Sequence, residues 1–364
     1  MSSLTNPSRL LQRNLLQYRE ELTVSRLLLA LPPSDGFITE ISEQLSEEGA
    51  VHLFTHMAEV NELAVRVLPE ANVVYSHDPS QLQAPFDLII VYLQKSRPFT
   101  SAVLDQLCPL LTDNGRVLFV GENGEGIKSW RKHLQAWGDV ESIASGCHSG
   151  LLELTPNEAA RAASPTLEEK HFTINIADTE VDIVSLPGVF SHGRLDAGTH
   201  LLLETLAGEN IRGQVLDFGC GAGVIGSWLA SRHPRCRPTL LDTDAMALES
   251  ARRTLATNNI DGKVIASHGM KAVSGRYDWI ISNPPFHQGV KTRYDITEAF
   301  LRQAKEHLNR GGQLRIVANN FLRYQPLIEE TFGHCEILAQ AKGFTIYGAT
   351  AAERFASAAI DRAE

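Results

Sequence analysis

The sequence predicts two α/β domains in tandem, the second carrying chemistry that the first lacks. Three observations lead there. Short β-branched runs alternate with amphipathic helical stretches, the pattern of strand–helix–strand units on a parallel sheet. That pattern occurs twice, in the same order. Between the two runs lies a polar, Ala- and Pro-containing segment, TPNEAARAASPTLEEK (Thr155 to Lys170), which reads as a linker. The expected domains are residues 1–160 and 161–364.

The recurrence is visible strand by strand. FDLIIVYLQK (Phe86 to Lys95) leads through a helical stretch to LTDNGRVLFVGEN (Leu111 to Asn123), and YDWIISNPPF leads through a helix to LNRGGQLRIVANN (Leu308 to Asn320). Each begins with an aromatic residue and Asp, and each next strand follows a Gly and ends in Asn. The halves differ at the loops. VYLQKSRPFT stands where the second half has SNPPFHQGVKTR, and VHLFTHMAEVNEL contains no glycine where the second half has a Gly-rich turn. The first half is therefore expected to support or recognise, not to catalyse.

Composition bounds the function. At 43% hydrophobic and 21% charged, the 364 residues have the make-up of a globular protein with a real core. No apolar run approaches the roughly 18 residues of a membrane helix, and the N-terminus lacks the apolar stretch of a secretory signal, so a cytoplasmic location without membrane partners is expected. Five cysteines form no CxxC pair and read as reduced thiols. His192, His200, His268 and His287 have no metal-ligand spacing, so no metal site is indicated. A net charge of −10 counts against a general, salt-driven nucleic-acid binder, and DNA is not an expected partner.

GQVLDFGCGAGVIGSWLA (Gly213 to Ala230) is a strand, a turn and the start of a helix. Gly219, Gly221 and Gly223 permit positive φ and close approach of a ligand to the backbone, and the helix directs free N–H groups at it. A dinucleotide turn wants G-x-G-x-x-G, but the sixth position is Val224. Asp217 before the turn would repel a pyrophosphate and suits a cationic group, so D-x-G-x-G-x-G fits S-adenosylmethionine better than a nicotinamide dinucleotide. Asp242 ends the second strand, where an acid grips a ribose hydroxyl pair. Asp244 lies where a helix N-cap is expected. The loop from Ser267 to Met270 should flank the adenine.

The fourth strand ends at the same sheet edge, in Asn283, Pro284, Pro285 and Phe286. Two prolines stiffen this corner. The Asn283 side-chain carbonyl and the Pro284 backbone carbonyl are two acceptors, and Phe286 offers a flat face for a planar ring. Together they would clamp an sp²-bound –NH₂ and direct its lone pair at a methyl donor.

LDFGCGAG, the strand end at Asp242 and SNPPFHQG resemble class I S-adenosylmethionine-dependent N-methyltransferases. LPGVFSHGRLDAGTHLLLETL (Leu186 to Leu206) is similar to the segment preceding the core in bacterial small-subunit ribosomal RNA guanine-N2 methyltransferases. The resemblance covers essentially the whole chain and is strongest from Leu186 to Asn320. It implies two tandem Rossmann-like methyltransferase domains, the N-terminal one degenerate. It further implies S-adenosylmethionine as cofactor and a guanine of 16S ribosomal RNA, free or in an assembled small subunit, as substrate. Asp217, Gly219, Gly221 and Gly223 would hold the methionine part and Asp242 the ribose. Asp196, Gly198 and Thr199 would close over the cofactor, and Phe172 to Phe190 would form a hairpin lid. Related glutamine and adenine enzymes usually carry Tyr where this chain has Phe286. Those two substrates remain alternatives, as does a non-enzymatic RNA-binding assembly factor.

Basic residues cluster locally. Lys291 and Arg293 directly follow the corner and would meet phosphates beside a flipped base, with His287 as a further substrate contact. Lys128, Trp130, Arg131 and Lys132 form another patch, and Arg9, Arg13 and Arg19 mark the N-terminal helix.

Overall fold

In the computed structural model, residues 3–21, 25–45, 50–164, 167–284 and 290–352 are described, and the side chains of 16–21, 50 and 290–296 are not among them. The chain forms two compact units. The first is Met1–Glu169 with the short segments Leu186–Gly188 and Thr243–Met246; the second comprises Lys170–Ser185, Val189–Asp242 and Ala247–Glu364.

The first unit runs α1 (Asn6–Glu21), β1 (Arg26–Ala30), α2 (Phe37–Gln44), β2 (Ala50–Thr55), α3 (Ala58–Ala64), β3 (Val73–Tyr75), β4 (Phe86–Tyr92), α4 (Arg97–Leu107), β5 (Leu111–Glu122), α5 (Ile127–His133), β6 (Gly138–Gly146), β7 (Ser149–Pro156) and α6 (Glu158–Arg161). The second unit opens with the hairpin β8 (Lys170–Ile176) and β9 (Thr179–Ser185). It continues α7 (Ala197–Leu206), β10 (Gly213–Phe218), α8 (Val224–Arg232), β11 (Cys236–Asp242), α9 (Ala245–Thr257), β12 (Lys263–Ala266), β13 (Tyr277–Ser282), α10 (Val290–His307), β14 (Leu308–Asn319), α11 (Gln325–Phe332), β15 (Glu336–Ala341) and β16 (Phe344–Thr350).

The two seven-stranded sheets have one topology, β3-β2-β1-β4-β5-β7-β6 and β12-β11-β10-β13-β14-β16-β15. Six strands of each run in one direction, and one, β7 or β16, runs antiparallel between its two neighbours. Even the irregularities coincide: register shifts between Phe86 and Leu88 on β4 and between Tyr277 and Trp279 on β13. The central strands are buried on both faces, as in Leu216, Ile280, Ile281, Leu314 and Ile316, which is why they read as near-continuous apolar runs. In each sheet the order reverses between the first and fourth strands, so the crevice for a ligand opens at their carboxyl ends.

The Asp of each aromatic-Asp pair has a structural task. Asp278 Oδ2 accepts the N–H of Gln214 at 2.8 Å and Oδ1 accepts Asn309 Nδ2 at 2.8 Å, tying the start of β10 to β14. Asp87 does the same with the N–H groups of Ser25 and Arg26, both at 3.0 Å, and with the Thr112 hydroxyl.

Three expectations change here. Thr155 and Pro156 belong to β7, and Arg161 holds the next turn to the first unit by donating to the carbonyls of Pro156, Thr112 and Gly115, so the units divide at Glu169 and Lys170, not at 160. The β8–β9 hairpin is no lid: Ile176 accepts the Trp228 indole N–H, and Val184 exchanges hydrogen bonds with the Thr254 hydroxyl, so it is sealed onto α8 and α9. Trp130 is core, not surface. It is 2% exposed and packs on Phe119, while Lys128, Arg131 and Lys132 stay exposed. Replacing Asp278 with Ala is expected to lower the urea midpoint of the protein, a loss of about 1–2 kcal/mol for two hydrogen bonds to a half-buried carboxylate.

Candidate functional site

The glycine turn joins β10 to α8. Gly219, Gly221 and Gly223 have φ of 71°, 53° and 78°. They need to be glycine for different reasons. A Cβ on Gly223 would lie 3.0 Å from Leu240 and 3.1 Å from the Ala251 backbone, so this glycine lets α8 pack. A Cβ on Gly221 would point into open space, so here the missing side chain leaves room beside the turn.

Two carboxylates hold the turn from below and behind. Asp217 is fully buried, and its Oδ2 accepts the N–H of Gly226 at 2.9 Å. Gly223, at the N-cap of α8, has no side chain to satisfy the first-turn donors, so the strand carboxylate does it instead. Asp217 Oδ1 has no hydrogen-bond partner among the described residues. Asp242, at the end of β11, accepts the Gly221 N–H through Oδ2 at 2.9 Å. Burial pushes the Asp217 carboxyl up to about 7; the Gly226 N–H opposes this, and the charge of Asp242 adds to it. Burial, helped by both acids, also keeps the Cys220 thiol protonated. Asp217 therefore shapes the turn and has no exposed surface for a direct ligand contact.

The loop after β12 closes on itself. Ser267 is buried, its N–H donates to the Asp242 carbonyl at 3.0 Å, and its hydroxyl accepts from the Ala272 N–H at 3.1 Å. The hydroxyl expected at the cofactor is thus engaged in building the loop. Asp244 accepts the N–H of Met246 at 2.8 Å and caps α9, as its place in the sequence predicts.

The corner after β13 is described as far as Pro284. Asn283 donates through Nδ2 to Asp196 Oδ2 at 3.0 Å and to Thr199 Oγ1 at 2.8 Å. An ionised carboxylate only accepts, so the amide nitrogen must face Asp196, and Oδ1 is turned to the opposite side. Asp196 is the N-cap of α7 and also accepts the Thr199 N–H at 2.9 Å. Ser282 fixes the strand end by donating to the Phe218 carbonyl at 2.7 Å. Thr199 is 7% exposed, and its hydroxyl accepts from Asn283 at the corner. Sequence reasoning missed this link, although D-x-x-T before an apolar run is a legible N-cap signal. Pro285, Phe286 and His287 lie outside the described residues, as do the side chains of Lys291 and Arg293.

The first unit shows the same positions stripped of function. Registers pair Leu27 with Leu88 and Val215 with Trp279, which matches Leu29 to Asp217, Leu31 to Gly219, Thr55 to Asp242 and Tyr92 to Asn283. Leu31 keeps the positive φ, 57°, without being glycine. Pro32 and Pro33 follow it and remove backbone donors.

Fold and turn together define a tandem S-adenosylmethionine-dependent methyltransferase with one functional copy. The turn fits that cofactor: Gly221 leaves space, Asp242 closes β11 beside it with a carboxylate on the Gly221 N–H, and a cation nearby would favour the ionised form of Asp217. Residues 180–348 match the model of the methyltransferase small domain, and residues 8–168 match that of the methyltransferase small domain N-terminal. Ribosomal RNA small subunit methyltransferase C of Pseudomonas entomophila is 43% identical over 91% of this chain and 96% of that protein. Its namesake in Pseudoalteromonas translucida is 37% identical over 95% of this chain and 99% of that protein. Among solved structures, the Thermus thermophilus 16S rRNA N2 G1207 methyltransferase RsmC, in complex with AdoMet and guanosine, matches with a TM-score of 0.82 and 26% identity, covering 94% of this chain and 91% of that one. The chain belongs to the ribosomal RNA small subunit methyltransferase C family.

Asp217 makes a pH signature. Its folded value of about 7 lies above the unfolded 3.8, so between those values the folded state holds a proton that the unfolded chain has lost. Its stabilising contribution is present below about pH 4 and is lost as pH rises toward 7. Asp217→Asn keeps an acceptor for Gly226 and removes this slope. Relative to the wild type, the variant should gain stability between about pH 4.5 and 7.5, by up to about 3 kcal/mol, in paired urea titrations.

Proposed function

We propose that the second unit methylates the exocyclic N2 amine of a guanine in 16S ribosomal RNA, with Asn283 as the residue that receives the amine. The observation that carries this is the orientation of the Asn283 amide, whose nitrogen is held by Asp196 and Thr199 so that its oxygen faces away from α7.

S-adenosylmethionine supplies an electrophilic methyl carbon when bound. Gly219, Gly221 and Gly223 bring the backbone close to its methionine part, Asp242 holds the ribose hydroxyls, and the loop from Ser267 to Met270 flanks the adenine. Asn283 Oδ1 and the Pro284 carbonyl accept the two amine hydrogens. A guanine N2 lone pair is delocalised into the ring, and two acceptors on its hydrogens favour pyramidalisation and localise it. The same acceptors stabilise the positive charge that develops on nitrogen. No strong base is needed, because the proton can leave after transfer; alignment of the reacting atoms supplies much of the rate. Phe286 is assigned the stacking face on its sequence position alone.

Lys291 and Arg293, at the start of α10, are assigned to phosphates beside the target, with His287 as a neighbouring substrate contact. Phe321, 66% exposed beyond β14, matches Gly124 of the first unit by strand register and adds an aromatic surface at the same edge. A net charge of −10 favours a substrate recognised by shape, and therefore the assembled small subunit over naked RNA. Such a substrate places the protein in the cytoplasm, and no DNA role is expected. Among the described residues, no helix is long and apolar enough to cross a membrane.

Incubation with methyl-labelled cofactor, small subunits, naked 16S RNA and a release factor tests this. Label should enter subunit RNA as N2-methylguanine; label in protein glutamine or in adenine would contradict it. Asn283→Ala should slow single-turnover transfer about 100-fold, the scale of a lost transition-state hydrogen bond, with cofactor affinity unchanged. Asp242→Ala should weaken cofactor binding by roughly tenfold or more in calorimetry.

A further inference from the structure

A side-chain amide is nearly symmetric in shape. Rotated by half a turn, Asn283 would present two donors to an amine that is itself a donor. Packing alone does not choose between these states, so something polar must.

We propose that Asp196 and Thr199 are positioning residues for methyl transfer, acting through Asn283 by locking its carbonyl toward the substrate amine. This rests on the reading that Asn283 Oδ1 receives that amine. Asp196 Oδ2 accepts from Thr199 N–H at 2.9 Å and from Asn283 Nδ2 at 3.0 Å. A flipped amide would set oxygen against oxygen at the same separation. The Thr199 hydroxyl leans on Asp196 Oδ2, at 3.5 Å, which leaves a lone pair for the second Asn283 N–H at 2.8 Å. The carboxylate thus orders the hydroxyl, and both order the amide.

Gly198 makes this approach possible. A Cβ there would lie 2.9 Å from both Val317 and Phe344 and 3.0 Å from Asp196 Oδ2. The N-terminus of α7 therefore packs closely enough on the ends of β14 and β16 for residues 196 and 199 to reach Asn283.

The first unit supplies an independent comparison. Its helix α1 starts in the same way, with the Thr5 carbonyl accepting the Arg9 N–H, and Ser8 meets Tyr92 at 3.0 Å. Tyr92 is the counterpart of Asn283, and Ser8 and Thr5 are those of Thr199 and Asp196. The link from helix start to strand end belongs to the fold. There it joins two hydroxyls, and the carboxylate at the helix start comes from a separate loop: Asp35 Oδ2 accepts the Thr5 N–H at 2.9 Å and the Thr5 hydroxyl at 2.8 Å, and makes no hydrogen bond to the strand-end residue. Only in the copy with an amide does the capping residue itself supply a carboxylate that bonds the strand-end side chain directly.

The test uses the full-length protein with small ribosomal subunits, measuring single-turnover rate, cofactor affinity and melting temperature. Thr199→Val keeps the shape and loses the lone pair; the rate should fall about tenfold, the scale of one hydrogen bond to an ordered partner, with cofactor affinity unchanged. Thr199→Ser should restore most of that loss. Asp196→Asn keeps the helix cap but not the polarity, and should also slow transfer at unchanged affinity. In an Asn283→Ala background, Thr199→Val should cost nothing further, because its effect passes through the amide. The inference is overturned if Thr199→Val weakens cofactor binding in parallel with rate, if its effect multiplies that of Asn283→Ala, or if it leaves the rate intact while Asn283→Ala is slow. An intact rate in Asn283→Ala itself would instead overturn the reading of the corner on which this one stands.

Discussion

The hydrogen bonds on the Asn283 nitrogen are the constraint on which the site depends. An acceptor aimed at an amine does its work only if its oxygen points the right way, and an amide has no shape to enforce that. The direction comes from Asp196 Oδ2, which accepts and cannot donate. The corner thereby acquires its polarity from α7, a helix earlier in the chain than the glycine turn and nearly ninety residues from the asparagine it serves. The two carboxylates at the turn follow a similar logic. Asp217 and Asp242 each take a backbone N–H, of Gly226 and Gly221, so the acids that look like ligand contacts also shape the loop that meets the ligand.

Duplication makes the division of labour readable within one chain. Both units keep the strand order, the register shift and the Asp that ties the first strand to its neighbours. What the first unit lacks is confined to the carboxyl edge of its sheet. Leu29 replaces a buried acid, Pro32 and Pro33 replace a turn rich in donors, Thr55 replaces the acid at the second strand end, and Tyr92 replaces the amide. The fold needs none of those groups, since the unit without them builds the same sheet.

Much of this was legible in the sequence, for physical reasons. Central parallel strands are buried on both faces, so VLDF, LIIVY and WIIS declare themselves as apolar runs, and Asp242 stands out as an acid closing one of them. The glycine spacing and the Asn-Pro-Pro corner are equally local. What stayed hidden depends on partners remote in the chain. A serine or threonine hydroxyl looks the same in sequence whether it touches a ligand or a protein group, so the bonds by which Ser267 builds its loop and Thr199 holds an amide are not legible there. Trp130 sits among basic residues in sequence, yet with Ile127 and Leu134 it forms the buried stripe of the α5 region, and helical geometry turns its charged neighbours outward. The end of the first unit was missed because β7 runs on into polar residues, and Arg161 anchors what reads as linker.

The most direct test is a crystal structure of the protein with guanosine and a non-transferring analogue of the cofactor, at a resolution that distinguishes the two ends of an amide. The distance to read is that from Asn283 Oδ1 to guanine N2. The account requires a hydrogen bond of about 2.7–3.2 Å, with Nδ2 still on Asp196 and Thr199. A guanine whose N2 lies elsewhere, or an amide that presents its nitrogen to the base, would contradict it.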